Sequence, residues 1–182
     1  MTKAEFAKLR LVRPEHVPFW EKLDFGLVAF IDRLCVRLGE IPQFISTWRS
    51  PEKNEAVGGK PTSFHLTGQA ADLLFKKTPL GRVYEEARLM DKAEGGTIGG
   101  IGLYLTPQPD GHTLGTIHLD VGPRHATGAR PRLWGRPEDG KYTSVSVVLA
   151  KLSPGGSVVG VIAFFFARYD FFTMGGLDGE AA

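Results

Sequence analysis

Apolar residues spaced three and four positions apart mark two amphipathic helices in the chain. The first pattern runs over residues 18–38 and is closed by Gly39; its apolar members are Trp20, Leu23, Leu27, Ile31, Leu34 and Leu38. The second pattern is followed by Gly95 and Gly96 and consists of Leu80, Val83, Tyr84, Ala87 and Met90. This spacing puts the apolar side chains on one face of each helix, and we expect the first face to pack against the core.

Short apolar runs bounded by glycine, proline and asparagine predict strands. Residues 43–48 are predicted to form a short strand, and residues 50–62, rich in Gly, Pro, Lys and Asn, a loop. The largely apolar residues 70–75 predict a strand in the interior of a sheet, and residues 101–105 and 116–121 predict a hairpin with a long connection. The pattern indicates an α+β domain, with helices on one face of a small antiparallel sheet.

The amino-acid composition fits one globular domain. The chain has 182 residues, of which 42% are hydrophobic and 23% charged, and its formal net charge is +2. A charge so close to neutral, without a dense basic run, gives no reason to expect a nucleic-acid partner. Cys35 is the only cysteine, so the chain can form no internal disulfide, and its place in the first helical pattern predicts a core residue.

A histidine and an aspartate seven residues apart are the first candidates for chemistry. His65 and Asp72 cannot share a helical face at that spacing, but they can meet if a loop carries His65 and the outgoing strand carries Asp72. His118, from a later strand, would complete a His/Asp/His set on the sheet face opposite to the helices. Three protein ligands that leave a fourth position for water are typical of a catalytic zinc site. The alternative is that the two histidines are unrelated.

The same part of the chain contains further short motifs. They are Ser46-Thr47-Trp48-Arg49-Ser50-Pro51 with Asn54, Val57-Gly58-Gly59, the Ser-x-His-x-x-Gly-x-Ala-x-Asp block from Ser63 to Asp72, Gly99-Gly100-Ile101-Gly102-Leu103-Tyr104, His118-x-Asp120-x-Gly122, and Arg132 with Trp134. In this order, over about residues 20–136, they resemble the D-alanyl-D-alanine carboxypeptidase-like zinc peptidases, which share one metal site with lysostaphin and the hedgehog signalling domain. Several motifs in order are a stronger signal than one short pattern.

The resemblance implies a zinc ion held by His65, Asp72 and His118. Nitrogen and oxygen ligands without thiolate suit zinc, which would activate a water and polarise the scissile carbonyl. The resemblance also implies that Arg49 binds the substrate or stabilises the tetrahedral intermediate, since a guanidinium is always charged and matches a carboxylate or an oxyanion. The alternative for Arg49 is a surface arginine paired with Glu52.

Two candidates compete for the general base. Relatives often carry an acid three residues before the last histidine, where this chain has Gly115. Asp120 lies on the same strand face as His118 and could accept the proton of the attacking water, or it could hold His118 or Arg132 in place. His112 could assist proton transfer, although a solvated loop histidine is the simpler interpretation.

Three more side chains are expected to support the site or line its groove. Ser63 could orient His65 by a hydrogen bond, or it could cap the loop. Tyr104 and Trp134 could form a wall of the substrate groove, with packing in the core as the alternative. Gly68 is expected to permit the turn after His65.

The resemblance implies a zinc-dependent peptidase that cuts stem-peptide or cross-link amide bonds of peptidoglycan, as a D,D-carboxypeptidase or an endopeptidase. Residues 1–8 lack the apolar run and cleavage site of a signal peptide. We therefore expect a phage or prophage lysis enzyme that stays in the cytoplasm until host lysis, or is associated with the virion. The alternatives are a zinc-containing binding module without turnover, which Gly115 favours, and a phage structural protein, which an apolar tail favours.

The motifs end at residue 134, which divides the chain into two predicted parts. A peptidase domain is predicted over residues 1–140 and a C-terminal extension of unknown role over residues 141–182. Residues 158–167 are almost wholly apolar, but a membrane-spanning helix needs about 20 apolar residues. We therefore favour a buried element or an oligomer contact through residues 152–167, with membrane association as the alternative.

Overall fold

The computed structural model describes residues 1–110, 113–124 and 131–152, and these residues contain five α-helices and five strands. The helices are α1 (Lys3–Phe6), α2 (Phe25–Leu38), α3 (Pro51–Ala56), α4 (Leu80–Ala93) and α5 (Val145–Leu152). The strands are β1 (Gln43–Ser46), β2 (Ala70–Leu74), β3 (Gly100–Pro107), β4 (Thr113–Asp120) and β5 (Arg132–Arg136).

Helix α2 begins later than the sequence pattern predicts. The pattern starts at residue 18, but Phe19 adopts a left-handed backbone conformation with a φ of 56° and the chain then makes a short 3₁₀ turn. Asp24 caps α2, because its side chain accepts a hydrogen bond from the amide of Leu27. Gly39, with a φ of 66°, ends the helix as predicted.

The predicted loop over residues 50–62 contains helix α3, so that prediction is wrong over Pro51–Ala56. The side chain of Ser50 accepts a hydrogen bond from the amide of Lys53, and Pro51 occupies the first turn. A serine cap followed by proline is a helix start signal. The surrounding glycine and lysine content obscured it in the sequence.

The five strands form one sheet in the order β1-β2-β4-β3-β5. Neighbouring strands are antiparallel except β3 and β5, which run parallel. Strands β3 and β4 form the predicted hairpin, but they pair as far as Pro107 and Thr113, so its connection is shorter than predicted. Strand β5 was not predicted as a strand. The α+β prediction is confirmed, and the sheet is mixed at one edge.

Alternation along the strands separates an apolar face of the sheet from a polar one. The apolar face is buried and includes Leu73, Ile101, Leu103, Ile117 and Leu119. Helices α4 and α5 pack against it, and α2 packs against α4. On the opposite face, Asp72 and Gly102 lie directly across from His118, on its two sides. Helices α4 and α5 and the candidate metal ligands on the strands therefore occupy opposite faces, as predicted.

Helix α5 follows β5 and packs beside it. Val145 and Val148 are buried in the hydrophobic core, and Gly135 of β5 bridges to Thr143 just before the helix. The predicted boundary at residue 140 precedes this helix, and the apolar run over residues 158–167 lies outside the described residues. None of the helices in the described ranges is long and apolar enough to cross a bilayer.

Candidate active site

His65 is held in place by the backbone on both sides of its loop. Its Nδ1 lies 2.6 Å from the carbonyl oxygen of Thr47 and donates to it, which leaves Nε2 available as a ligand. Gly68 follows in the left-handed conformation, with a φ of 72°, and its carbonyl accepts from the amide of Asp24 at 2.9 Å. A Cβ at this position would collide with the carbonyl of Lys22, so the turn after His65 requires glycine.

Asp72 and His118 meet across the β2–β4 ladder. They are paired residues in the register, and Nδ1 of His118 lies 2.8 Å from Oδ1 of Asp72. Nε2 of His65 lies 3.3 Å from Oδ2 of the same carboxylate. All three side chains are buried, at 3% exposure for His65, 8% for Asp72 and 7% for His118. The loop and the two strands therefore bring the predicted set together.

One donor atom from each of these residues lies within 4.8 Å of the other two, so the set could hold a metal ion. Two imidazole nitrogens and one carboxylate oxygen are a ligand set that suits zinc in catalytic sites. Each imidazole is oriented through its other nitrogen, His65 by a backbone carbonyl and His118 by a carboxylate. Such outer contacts are characteristic of histidines that bind metals, so the residues fit a zinc ion.

Burial and hydrogen bonding oppose each other in the ionisation of this cluster. Burial by itself would raise the pKa of Asp72, but hydrogen bonds from His118 and His65 hold the pKa of that carboxyl well below its usual range. Burial would lower the pKa of His118, whereas hydrogen bonds to Asp120 and Asp72 raise it to about 9. A metal held by His65, Asp72 and His118 would need the deprotonated ring of His118, so its affinity would depend on pH.

Arg49 contacts the metal cluster directly. Its Nη2 donates to Oδ2 of Asp72 at 2.7 Å, and its Nε donates to the hydroxyl of Ser46 at 2.7 Å. The side chain of Arg49 is 17% exposed, so it is neither fully buried nor a surface group. The ion-pair partner of Arg49 is therefore Asp72 and not Glu52. Asp72 and Ser46 therefore hold the guanidinium fork in position through two of its nitrogens.

Asp120 lies on the outer side of His118, away from Asp72. Its Oδ2 is 3.3 Å from Nε2 of His118, and its Oδ1 accepts from Arg132 at 2.6 Å and from the amide of Gly122 at 2.9 Å. The carboxylate is fully buried, at 0% exposure. Of the two roles that the sequence left open, this geometry favours the support of His118 and Arg132.

We expect Asp120→Asn to weaken zinc binding by about 10–100-fold, the usual effect of losing an outer partner of a metal-binding histidine. The amide keeps the size of the carboxylate but carries no charge to hold the ring of His118 and the guanidinium of Arg132. Competition with a chromogenic chelator measures the zinc Kd.

Asp91→Asn is the matched control for this change. Asp91 is also a buried carboxylate paired with an arginine, Arg124, but it lies outside the metal cluster. The control should lose thermal stability and keep the wild-type zinc affinity. If Asp120→Asn keeps the wild-type zinc affinity and loses only turnover, Asp120 is the general base.

Tyr104 and Trp134 flank His118 on the β3–β5 side. The ring centroids of Trp134 and His118 are 5.2 Å apart, and those of Tyr104 and His118 are 6.3 Å apart. Trp134 lies over Gly102, where a Cβ would collide with the indole. The indole Nε1 donates to the hydroxyl of Tyr104 at 3.0 Å. Both side chains are half-buried beside the cluster, which makes them candidates for a groove wall.

Of the remaining predicted residues, Ser63 and Gly115 do not contact the cluster as expected, and His112 lies outside the described residues. Ser63 precedes His65 in the loop, but the carbonyl of Thr47 is the partner of the His65 ring. Gly115 belongs to β4, and a Cβ at this position would contact the side chain of Leu80 of α4. A carboxylate there would therefore face the helices and not the cluster. His112 lies outside the described residues, as does His125.

Residues 26–102 match one family model, described as Peptidase M15. No curated protein matches the chain. The matched segment is less than half of the chain and contains Arg49, His65 and Asp72, while His118 lies beyond it. The Peptidase M15 match, together with the metal cluster, supports a zinc metallopeptidase.

Several features that build this site escaped the sequence analysis. They are the carbonyl of Thr47 on His65, the hydroxyl of Ser46 on Arg49, and the ring of Phe64, whose face lies 4.9 Å from the guanidinium carbon of Arg132. A backbone carbonyl carries no residue-type signal, so the first could not be found from sequence. Ser46 and Phe64 belong to quoted motifs, and their positions three residues before Arg49 and one before His65 are the only available signals.

Proposed function

We propose that the protein is a zinc-dependent peptidoglycan peptidase that hydrolyses stem-peptide or cross-link amide bonds, as a D,D-carboxypeptidase or endopeptidase. The observation that carries the proposal is the contact between Arg49 and Asp72, 2.7 Å apart, beside the His65/Asp72/His118 cluster. A metal site that served stability alone would have no use for a partly exposed guanidinium at its edge. An arginine fork placed there suits a substrate with a carboxylate, such as a stem peptide.

The residues of the chain divide the work of this reaction. His65, Asp72 and His118 would hold the zinc ion, which when bound polarises the scissile carbonyl and lowers the pKa of its water to about 7. Arg49 orients the substrate through the N–H groups that Asp72 and Ser46 leave free. Asp120 keeps the His118 ring in position.

The test is incubation of the purified protein with defined muropeptides, followed by mass analysis of the products. We expect hydrolysis with zinc, none after treatment with a chelator, and recovery when zinc is added back. Loss of one terminal D-alanine identifies a carboxypeptidase, whereas cleavage of a dimeric muropeptide into two monomers identifies an endopeptidase. His65→Ala is the inactive control.

The second candidate is a zinc-containing binding module without turnover. The sequence favoured this candidate because position 115 carries a glycine in place of the acid found in relatives. In the structure, position 115 faces Leu80 on the helical side of the sheet. An acid there could not serve the cluster, which weakens the argument. Tight binding of intact muropeptides without any product would support this candidate and contradict the first.

A role in phage or prophage lysis is a further part of the proposal. Expression in a bacterial host with and without a co-expressed holin is the test. We expect lysis only when the membrane is opened, because the substrate lies outside it.

A further inference from the structure

Tyr104 has a hydroxyl that is held from one side and can donate on the other. The hydroxyl oxygen accepts the N–H of Trp134 at 3.0 Å. A phenol has one O–H donor as well as its acceptor capacity. The bond from Trp134 therefore fixes the oxygen and leaves the proton of the hydroxyl to point elsewhere.

The register of the sheet places that hydroxyl near His118. Gly102 lies directly opposite both His118 and Trp134 on its two neighbouring strands, and the indole N–H edge lies over Gly102. Trp134, Gly102, His118 and Asp72 thus form one row across four neighbouring strands. The hydroxyl of Tyr104 accepts a hydrogen bond from the indole N–H, so it lies above this row.

Tyr104 and the loop of His65 lie on opposite sides of this row. Phe64, in that loop, would collide with a Cβ on Gly122, so the loop covers the end of the sheet that carries Asp120. Tyr104 is two residues from Gly102 in the other direction along β3, and it is half-buried. Its hydroxyl therefore approaches the cluster from β3, whereas the guanidinium of Arg49 approaches it from the segment between β1 and α3.

We propose that Tyr104 is a catalytic residue whose hydroxyl donates a hydrogen bond to the carbonyl oxygen of the scissile amide and to the oxyanion that this oxygen becomes. The proposal rests on the peptidase function proposed above. The desolvating wall of Trp134 and the fixed position of the oxygen make this donor preorganised, which is the condition for strong stabilisation of a developing charge.

The hydroxyl keeps its own proton throughout the reaction. Water adds its oxygen to the carbonyl carbon, the C–N bond breaks, and the nitrogen leaves as an amine after it gains a proton from the water. The products are one carboxylic acid and one amine. Burial and the charge of Asp72 raise the pKa of Tyr104 above its usual range, so the donor stays protonated at neutral pH.

This assignment separates the roles of the two donors at the site. Arg49 is a permanent cation that binds substrate in the ground state as well as later, whereas a neutral phenol gains most when negative charge develops. Loss of the Tyr104 hydroxyl should therefore act on kcat more than on KM.

The test compares Tyr104→Phe with wild type on the muropeptide that wild type cleaves best. We expect kcat to fall about 10²-fold with KM little changed, the usual effect of losing one oxyanion donor. Binding of a phosphinate analogue of the same peptide, measured by calorimetry, should weaken by about the same factor. Zinc content should stay at the wild-type level.

Tyr84→Phe is the matched control. Tyr84 is a buried tyrosine of α4 whose hydroxyl accepts from Arg88 at 3.4 Å, on the helical side of the sheet. We expect wild-type kcat and phosphinate affinity for this variant. Trp134→Phe keeps an aromatic wall but removes the N–H that fixes Tyr104, and it should lower kcat less than Tyr104→Phe.

The possible failures are distinguishable. If wild type cleaves the muropeptide and Tyr104→Phe does so equally well, the role of Tyr104 is overturned and the peptidase function stands. A fall in zinc content that accounts for the loss of activity would also overturn it, since the residue would then support the metal. If wild type cleaves no muropeptide, the proposed function and this assignment both fail.

Discussion

Replacement of His65 or His118 by alanine is expected to remove zinc from the purified protein and to abolish peptidase activity. Each histidine supplies one of the three donor atoms that lie within 4.8 Å of one another. Two remaining ligands do not retain zinc against dilution, because affinity depends on the full set of deprotonated donors. Metal analysis after gel filtration gives the zinc content directly.

A second measurement separates loss of the metal from loss of the fold. Zinc at about 1,000 times its Kd should stabilise the wild-type protein by about 4 kcal/mol, which appears as a rise in the melting temperature. The two alanine variants should fold, as judged by circular dichroism, and show no such rise. His16→Ala, which changes a histidine of a short 3₁₀ turn outside the cluster, should behave as wild type. Near-stoichiometric zinc in both His65→Ala and His118→Ala would contradict the assignment of the ligands.

Arg49→Lys is expected to lower kcat/KM by about 10²–10³-fold while the zinc content stays near that of wild type. The arginine contacts Ser46 and Asp72 through two different nitrogens of its fork, each at 2.7 Å. Lysine carries the same charge on a single nitrogen, so it cannot keep both contacts and also reach a substrate. Steady-state kinetics on a muropeptide, together with metal analysis, checks this result.

Arg33→Lys is the matched control for that experiment. Arg33 also forms a bond to a carboxylate at 2.7 Å, with Glu94, but its side chain is 44% exposed and lies far from the cluster on α2. An exposed pair of this kind contributes little, and the control should keep full activity. Equal rates for Arg49→Lys and wild type would show that the guanidinium only supports Asp72, where a lysine charge is sufficient.

The sequence predicted the cluster because its chemistry depends on residue types. His65, Asp72 and His118 are rare polar groups within apolar or glycine-containing segments, and the alternation of β2 and β4 directs the latter two to one face. Helix α2 was predictable for the same reason, since the spacing of its apolar residues is a local property. Its start was not, because Phe19 takes a left-handed conformation that no local pattern indicates.

Strand β5 and the contacts of Asp120 were decided by the tertiary structure. Residues 132–136 form a strand because they pair in parallel with β3, which lies about 30 residues earlier in the chain. Such pairing depends on contacts that are distant in sequence, so no local pattern predicts it. Period-two alternation correctly put Asp120 on the same sheet face as His118. It did not specify which groups on that face the carboxylate of Asp120 contacts. Arg132 and the amide of Gly122 hold its carboxylate on the outer side of the His118 ring.

The sequence by itself determined the His65/Asp72/His118 set, the α+β class and the two faces of the sheet, because residue type and periodicity encode them. Only the tertiary structure decided the hydrogen-bond partner of each polar group. His65 bonds to Thr47, Arg49 to Asp72, and Tyr104 to Trp134. The physical reason is that a hydrogen bond requires a separation near 3 Å and a defined angle. Residue spacing along the chain does not specify such geometry; the packing of loop, strands and helices does.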